Sequence, residues 1–219
     1  RVADVLGGTS MVQVGRANRG RFIIWLAIMA LAVSTGALGV TPARAAGCAT
    51  STLNIVAHED DDLLFQSPDM LRDIQNDVCV TVVYLTAGDS GRDESYWLGR
   101  EDGARAAHAT MAGVGVSNWA TTTTTFAGHT VTRSRLAGTN TSLIFLRLPD
   151  GNLSGVGFPA TNDESLELLW KGQRARLATV DGGSTYSQAE LIATIKAIVN
   201  EYTPNTVRLQ DDTEEASDH

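Results

Sequence analysis

The alternation of apolar and amphipathic segments constrains the fold of this chain more than any other feature of its sequence. The apolar, β-branched segments are residues 52–57, 78–86, 142–148 and 206–209. Segments with helical spacing lie between them, at residues 63–75 (interrupted by Pro68), 96–114, 164–170 and 187–201. We expect Ser67 to be the N-cap after the interruption, and Ser187 with Glu190 to form a capping box at the start of the last segment. This order predicts an α/β fold with a mostly parallel sheet covered on both faces by helices. Residues 119–126 and 129–135, joined by Ala127 and Gly128, predict an inserted β-hairpin.

The first 45 residues have the pattern of a secretory signal peptide. Arginines at positions 16, 19 and 21 precede the apolar run 22–40, and a small-residue sequence ends at Ala45. We therefore expect cleavage after Ala45, with residues 1–10 as an upstream extension, and a secreted or extracytoplasmic domain over residues 46–219. An uncleaved membrane anchor is the alternative, because the run is long for a signal peptide.

The charge and cysteine content of residues 46–219 limit the kind of partner. Without the five Arg and one Asp of the first 45 residues, the remainder has 12 Lys and Arg against 24 Asp and Glu, a net charge of −12. So acidic a domain argues against nucleic-acid binding. Cys48 and Cys79 each precede a predicted strand at the same end, which allows a disulfide in an exported protein. Two separate buried thiols are the alternative.

Ionisable residues follow the ends of the predicted strands, where sites gather in sheets of this type. They are His58 and the four acids Glu59–Asp62, then Asp89 and Arg92, then Asp150, and finally His219. His58, Asp61 and His219 form a two-His, one-carboxylate set, which suits zinc with an open position for water, or ferrous iron. A calcium loop or a solvated acidic turn is the alternative. The other two histidines, His108 and His129, are expected to be structural or exposed.

Five short motifs resemble those of the PIG-L/LmbE-like de-N-acetylases. They are Ala57-His58-Glu59-Asp60-Asp61, Leu85-Thr86-Ala87-Gly88-Asp89-Ser90-Gly91, Gly99-Arg100-Glu101-Asp102-Gly103-Ala104, Leu148-Pro149-Asp150-Gly151 and Ser217-Asp218-His219. They occur in the family's order and cover the chain from Ile55 to His219. Members of this family remove acetyl groups from N-acetylglucosamine units of glycoconjugates.

The resemblance implies a Rossmann-like, three-layer fold and a zinc-dependent hydrolase acting on an N-acetylated sugar or glycoconjugate. His58, Asp61 and His219 match its zinc ligands, and Asp60 matches its general base. Arg100 and Asp150 match residues that hold the sugar, and Asp89 and Arg92 are further candidates for that role.

The chain departs from the family pattern at two positions. Glu59 stands where the family has Pro, and Ala216 stands where the late motif has a His that assists the transition state. A non-catalytic or weakly active carbohydrate-binding relative is therefore the alternative function. The chain also ends on a proposed ligand, so we expect the domain to be truncated at its C-terminus.

Overall fold

The computed structural model describes residues 48–210. Its strands are β1 (Ser51–Val56), β2 (Cys79–Thr86), β3 (Trp119–Phe126), β4 (His129–Leu136), β5 (Thr141–Leu148), β6 (Leu177–Ala178), β7 (Thr185–Tyr186) and β8 (Thr206–Leu209). Its α-helices are α1 (Asp61–Phe65), α2 (Asp69–Gln75), α3 (Glu94–Met111), α4 (Leu166–Trp170) and α5 (Gln188–Tyr202). The predicted signal peptide, Ala216 and His219 lie outside the described residues. Within residues 48–210, no helix is long and apolar enough to cross a membrane.

A six-stranded sheet forms the centre of the domain, in the order β3-β4-β5-β2-β1-β8. The strands β5, β2, β1 and β8 are parallel, while β3 and β4 form the predicted hairpin and continue the sheet in the antiparallel sense. The mostly parallel α/β fold is therefore confirmed. From β1 the chain passes to β2 on one side and later returns to β8 on the other, which makes β1 a topological switch point. In open α/β sheets, ligands bind beyond the carboxyl ends of the strands at such a point.

Helices cover both faces of the sheet, as the alternating strands and helices predicted. Successive strand residues point to opposite faces, and two apolar clusters result. One cluster joins Val82, Tyr84 and Phe145 of the sheet to Met70 of α2 and Ala104 of α3. The other joins Leu53, Val83 and Ile144 to Leu191 and Ile198 of α5. These two clusters make the three-layer arrangement.

The predicted helix over residues 63–75 is two short helices in the structure. The chain leaves α1 at Phe65 and begins α2 at Asp69, with Pro68 at the N-cap and no side-chain cap hydrogen bond. Proline lacks the N–H that would continue a helix, and its ring clashes with the preceding turn. The break at Pro68 is confirmed, and the expectation that Ser67 would cap the second helix is wrong.

Two local features agree with expectation. Ser187 and Glu190 form the predicted capping box of α5, with the Ser187 Oγ accepting from the Glu190 N–H at 3.3 Å. A disulfide joins Cys48 to Cys79, whose Cα atoms are 5.7 Å apart. The bond links the segment before β1 to the start of β2, its neighbour in the sheet.

Candidate functional site

The loops that follow β1, β2 and β5 converge at the carboxyl edge of the sheet. His58 follows β1, and its side chain is almost fully buried. Its Nδ1 lies 3.9 Å from Oδ2 of Asp61, and its Nε2 lies 3.8 Å from Oδ2 of Asp150. The Asp61 carboxylate also accepts the backbone N–H of His58 at 2.8 Å, which closes the turn between them. The loop after β1 and the loop after β5 thus each place a carboxylate beside the His58 ring.

Asp150 is fixed by donors from its own loop and from the loop after β2. The Ser90 N–H and the Asn152 N–H donate to its two oxygens, at 3.2 and 2.9 Å. Burial acts to raise the pKa of Asp150, but the facing His58 ring and these N–H groups outweigh it and hold the pKa at about 2. Burial likewise acts to lower the pKa of His58, and Asp150 and Asp61 outweigh it and raise that pKa. Each group of the pair thus favours the charged form of the other.

Asp89 shapes the two loops around this pair. Its Oδ1 accepts the backbone N–H of Asp150 at 2.8 Å, and its Oδ2 accepts the N–H of Gly91 at 3.0 Å. Burial raises its pKa more than these bonds lower it. Asp89 stays a candidate for substrate binding, and in the structure both of its oxygens accept backbone N–H groups.

Arg100, on α3, forms two ion pairs with the acidic run. Its Nε donates to Oε2 of Glu59 at 3.0 Å, and a terminal guanidinium nitrogen donates to Oδ1 of Asp60 at 2.9 Å. Glu59 is buried, and burial raises its pKa to about 7 despite the opposing effect of Arg100. Asp60 is 52% exposed at its side chain, so the proposed base is open to solvent. Glu59, which the sequence left without a role, is a partner of Arg100.

Arg92 lies beside a separate cleft near these loops. Its guanidinium carbon is 4.5 Å from the centre of the Tyr96 ring. Arg92, Asp89, Trp97 and Asp181 line a cleft of about 300 Å³. A larger cleft of about 680 Å³ lies between α3 and β3 and contains neither His58 nor Asp60, so its size does not mark the site.

Two buried polar clusters behind the site were not foreseen from the sequence. In the first, Asp62 Oδ2 accepts the Tyr84 hydroxyl at 2.9 Å and lies 2.8 Å from Nε2 of His108. Burial raises the pKa of Asp62 to about 7 and lowers that of His108 to about 4. In the second, both oxygens of Glu101 accept from Arg147, at 2.6 and 3.0 Å.

The spacing of residues along α3 could have indicated both clusters from the sequence. Trp97, Glu101, Ala104 and His108 are buried on α3. They are spaced by four, three and four residues, which places them on one helix face. Because Trp97 and Ala104 mark that face as buried, the two ionisable residues on it require partners inside the protein.

The ligand types around His58 fit a zinc site. Imidazole nitrogen and carboxylate oxygen are the usual zinc ligands, and two such atoms on one tetrahedral ion stand about 3.4 Å apart at bond lengths of ~2.0–2.1 Å. The 3.9 Å between His58 Nδ1 and Asp61 Oδ2 is close to that separation. Among residues 48–210, no three His, Cys, Asp or Glu side chains form a group that could hold a metal. The described part of the chain thus supplies two of the three predicted ligands, and His219 lies outside it.

Most of the chain matches a known protein family. A family model described as GlcNAc-PI de-N-acetylase (PIG-L) matches residues 53–219. The match begins in β1 and includes His58, Asp60, Asp61, Arg100 and Asp150. No curated protein and no solved structure gives a significant match. Since the match spans well over half of the sequence, the chain belongs to the PIG-L (GlcNAc-PI de-N-acetylase) family.

Proposed function

We propose that this protein is an exported, zinc-dependent hydrolase that removes the acetyl group from an N-acetylglucosamine-type sugar or glycoconjugate. Membership in the PIG-L family supports a de-N-acetylase-like function. The observation that carries the proposal is the grouping of His58, Asp61 and Asp150 beside an exposed Asp60 at the carboxyl edge of the sheet. The disulfide and the signal-peptide pattern support export, because disulfides persist in oxidising compartments.

His58 and Asp61, together with His219, are the residues that we assign to hold zinc. A bound zinc ion supplies the Lewis acidity that polarises an acetyl carbonyl and lowers the pKa of water toward ~7. Asp150 lies on the other side of the His58 ring and orients it, as carboxylates commonly do for ligating histidines. We assign Asp150 to orient His58, and we assign other atoms of its loop to contact the sugar. The two roles are compatible.

Asp60 is the residue that we assign to move the proton. Arg100 donates to Oδ1 of Asp60, and we assign Oδ2 to accept the proton of the attacking water. Asp60 then passes this proton to the departing nitrogen, so that an amide and water become acetate and an amine. Asp60 serves as both base and acid in this scheme because Ala216 stands where the family has its His.

A carbohydrate-binding relative without strong activity is the second candidate. The ion pair between Asp60 and Arg100 favours it, because one oxygen of the proposed base is already occupied by a guanidinium nitrogen. Ala216 favours it as well. Both candidates use the same sheet edge, and they differ only in turnover.

Acetate release from a panel of N-acetylglucosamine glycosides tests the proposal, with zinc content measured on the same samples. We expect about one zinc per chain, loss of zinc in His58→Ala, and a fall in kcat of ~10²–10⁴-fold in Asp60→Asn. The matched control is Asp69→Asn, which changes an exposed carboxylate of α2 and should leave kcat unchanged.

Three other outcomes are informative. Zinc binding without acetate release from any glycoside would favour the binding relative. Calcium binding without zinc would overturn both candidates. Unchanged turnover in Asp60→Asn would remove Asp60 from the mechanism.

A further inference from the structure

The short helix α1 is held to the protein in an unusual way. A surface helix normally buries an apolar stripe and exposes its polar residues. In α1, Leu63 packs against the core, but Leu64 and Phe65 are 63% and 57% exposed. The fully buried side chains of α1 are its two acids, Asp61 and Asp62. The polarity of this helix is thus largely reversed, and a polar contact must supply much of its attachment.

Asp62 supplies that contact. Its Oδ2 accepts the Tyr84 hydroxyl of β2 at 2.9 Å and lies 2.8 Å from Nε2 of His108 on α3. All three side chains are fully buried. A carboxylate is costly to bury unless it is hydrogen-bonded, and here the partners come from two different elements of the core. Asp62 therefore links α1 to the middle of the sheet and to the long helix that also carries Arg100.

This link is adjacent to the turn that carries the proposed base, Asp60, and the proposed ligand, Asp61. The backbone N–H groups of Leu63 and Leu64 both donate to the Asp60 carbonyl, at 3.1 and 3.0 Å. The turn before α1 and its first residues are therefore one hydrogen-bonded unit, and a shift of Asp62 moves Asp60 and Asp61 with it. A misplacement of about 1 Å in a reacting group is enough to cost ~10²-fold in rate.

We propose that Asp62, held by Tyr84 and His108, is a positioning residue that fixes the turn carrying Asp60 and Asp61. The contacts of Asp62 with Tyr84 and His108, here termed the tether, are present among the described residues. Its consequence for turnover rests on the proposed function, in which Asp60 moves the proton and Asp61 is a ligand.

Amide hydrogen exchange in the full-length protein tests the tether without any assay of activity. In Asp62→Ala we expect the Leu64 amide to exchange at least ~10-fold faster because the turn is released, while the β2 amides keep their protection. The Leu63 amide should also exchange faster, in part because it loses its own bond to Oδ1 of Asp62 at 2.9 Å. Asp62→Asn should recover most of the protection, since its amide oxygen still accepts the Tyr84 hydroxyl. Tyr84→Phe should give an intermediate increase at the same two amides.

The matched control for Tyr84→Phe is Tyr202→Phe. It removes a hydroxyl that has no hydrogen-bond partner among residues 48–210. We expect it to leave exchange in α1 and turnover unchanged.

Kinetics provide the second readout. We expect Asp62→Ala to lower kcat for acetate release ~10–100-fold with KM within about twofold, and Asp62→Asn to recover activity. If the wild-type protein releases no acetate, the proposed function fails and the exchange data alone decide the tether. Faster exchange spread evenly over α1 and β2, or no change at Leu63 and Leu64, would overturn the tether whatever the activity.

Discussion

The buried ion pair between Glu101 and Arg147 gives the sharpest stability prediction. Glu101 is 1% exposed, and it accepts two bonds from Arg147 and a third, at 3.3 Å, from Arg105. Arg147 has a φ of +58° and lies where the pairing of β2 with β5 shifts register. It also stacks on Trp97, with its guanidinium carbon 4.7 Å from the ring centre. The perturbation is Glu101→Ala.

The expected loss follows from the groups that would be left without their partner. Removing one member of a buried ion pair typically costs ~3–5 kcal/mol, because the other charge stays buried. Arg147 keeps its bond to Asp181 at 2.8 Å, which places the loss near the lower end, at about 3 kcal/mol. With a urea m-value of about 2 kcal/mol/M, the unfolding midpoint should fall by about 1.5 M.

Urea unfolding of the wild type and the variant measures this loss. Glu101→Gln keeps the shape of the side chain and should lose less than Glu101→Ala. The control is Asp69→Ala, which breaks an exposed pair with Arg72 and should change stability by less than ~1 kcal/mol. A fall of less than about 0.5 M for Glu101→Ala, at an unchanged m-value, would refute the reasoning. It would mean that the guanidinium groups find other partners at no cost.

Two further predictions concern the disulfide and the loop after β2. The double substitution Cys48→Ser, Cys79→Ser should lower the free energy of unfolding by about 3.5 kcal/mol, since the bond closes a loop over a sequence separation of 31; an unchanged urea midpoint would contradict this. Gly88→Ala should cost about 1–2 kcal/mol because Gly88 has a φ of +51°. Its new Cβ would lie 2.6 Å from Nε of Arg100 and 2.7 Å from Oε2 of Glu59, so we also expect ~10-fold lower acetate release, and full activity would count against a role for that pair.

Local patterns in the sequence were enough for the elements of the fold. The strand predicted at residues 206–209 has the same bounds as β8, and the hairpin and the α5 capping box are present. These features depend on residues close together in the chain, through side-chain alternation, turn chemistry and capping. The alternation of strands and helices also predicted the parallel sheet, because parallel strands require crossover connections. The position of the acidic run Glu59–Asp62 after β1 was also predicted, because it directly follows an apolar segment and His58.

Pairings between distant residues were decided by the tertiary structure. The Glu59–Arg100 pair and the Asp62–His108 pair join residues 41 and 46 positions apart. Sequence patterns report which face of an element is buried, but they do not report which element packs against it. The same holds for Asp89, whose bond to the backbone N–H of Asp150 joins residues 61 positions apart.

The sequence alone thus determined the strand and helix pattern, favoured the disulfide between Cys48 and Cys79, and located the ionisable residues that follow β1, β2 and β5. Only the tertiary structure decided how those residues divide their tasks. Once Glu59, Asp62, Asp89 and Glu101 are buried, each carboxylate must take its hydrogen bonds from whatever donors the packing brings within ~3 Å. That packing turns one acidic run into an exposed candidate base at Asp60, a buried candidate ligand at Asp61 and an anchor at Asp62.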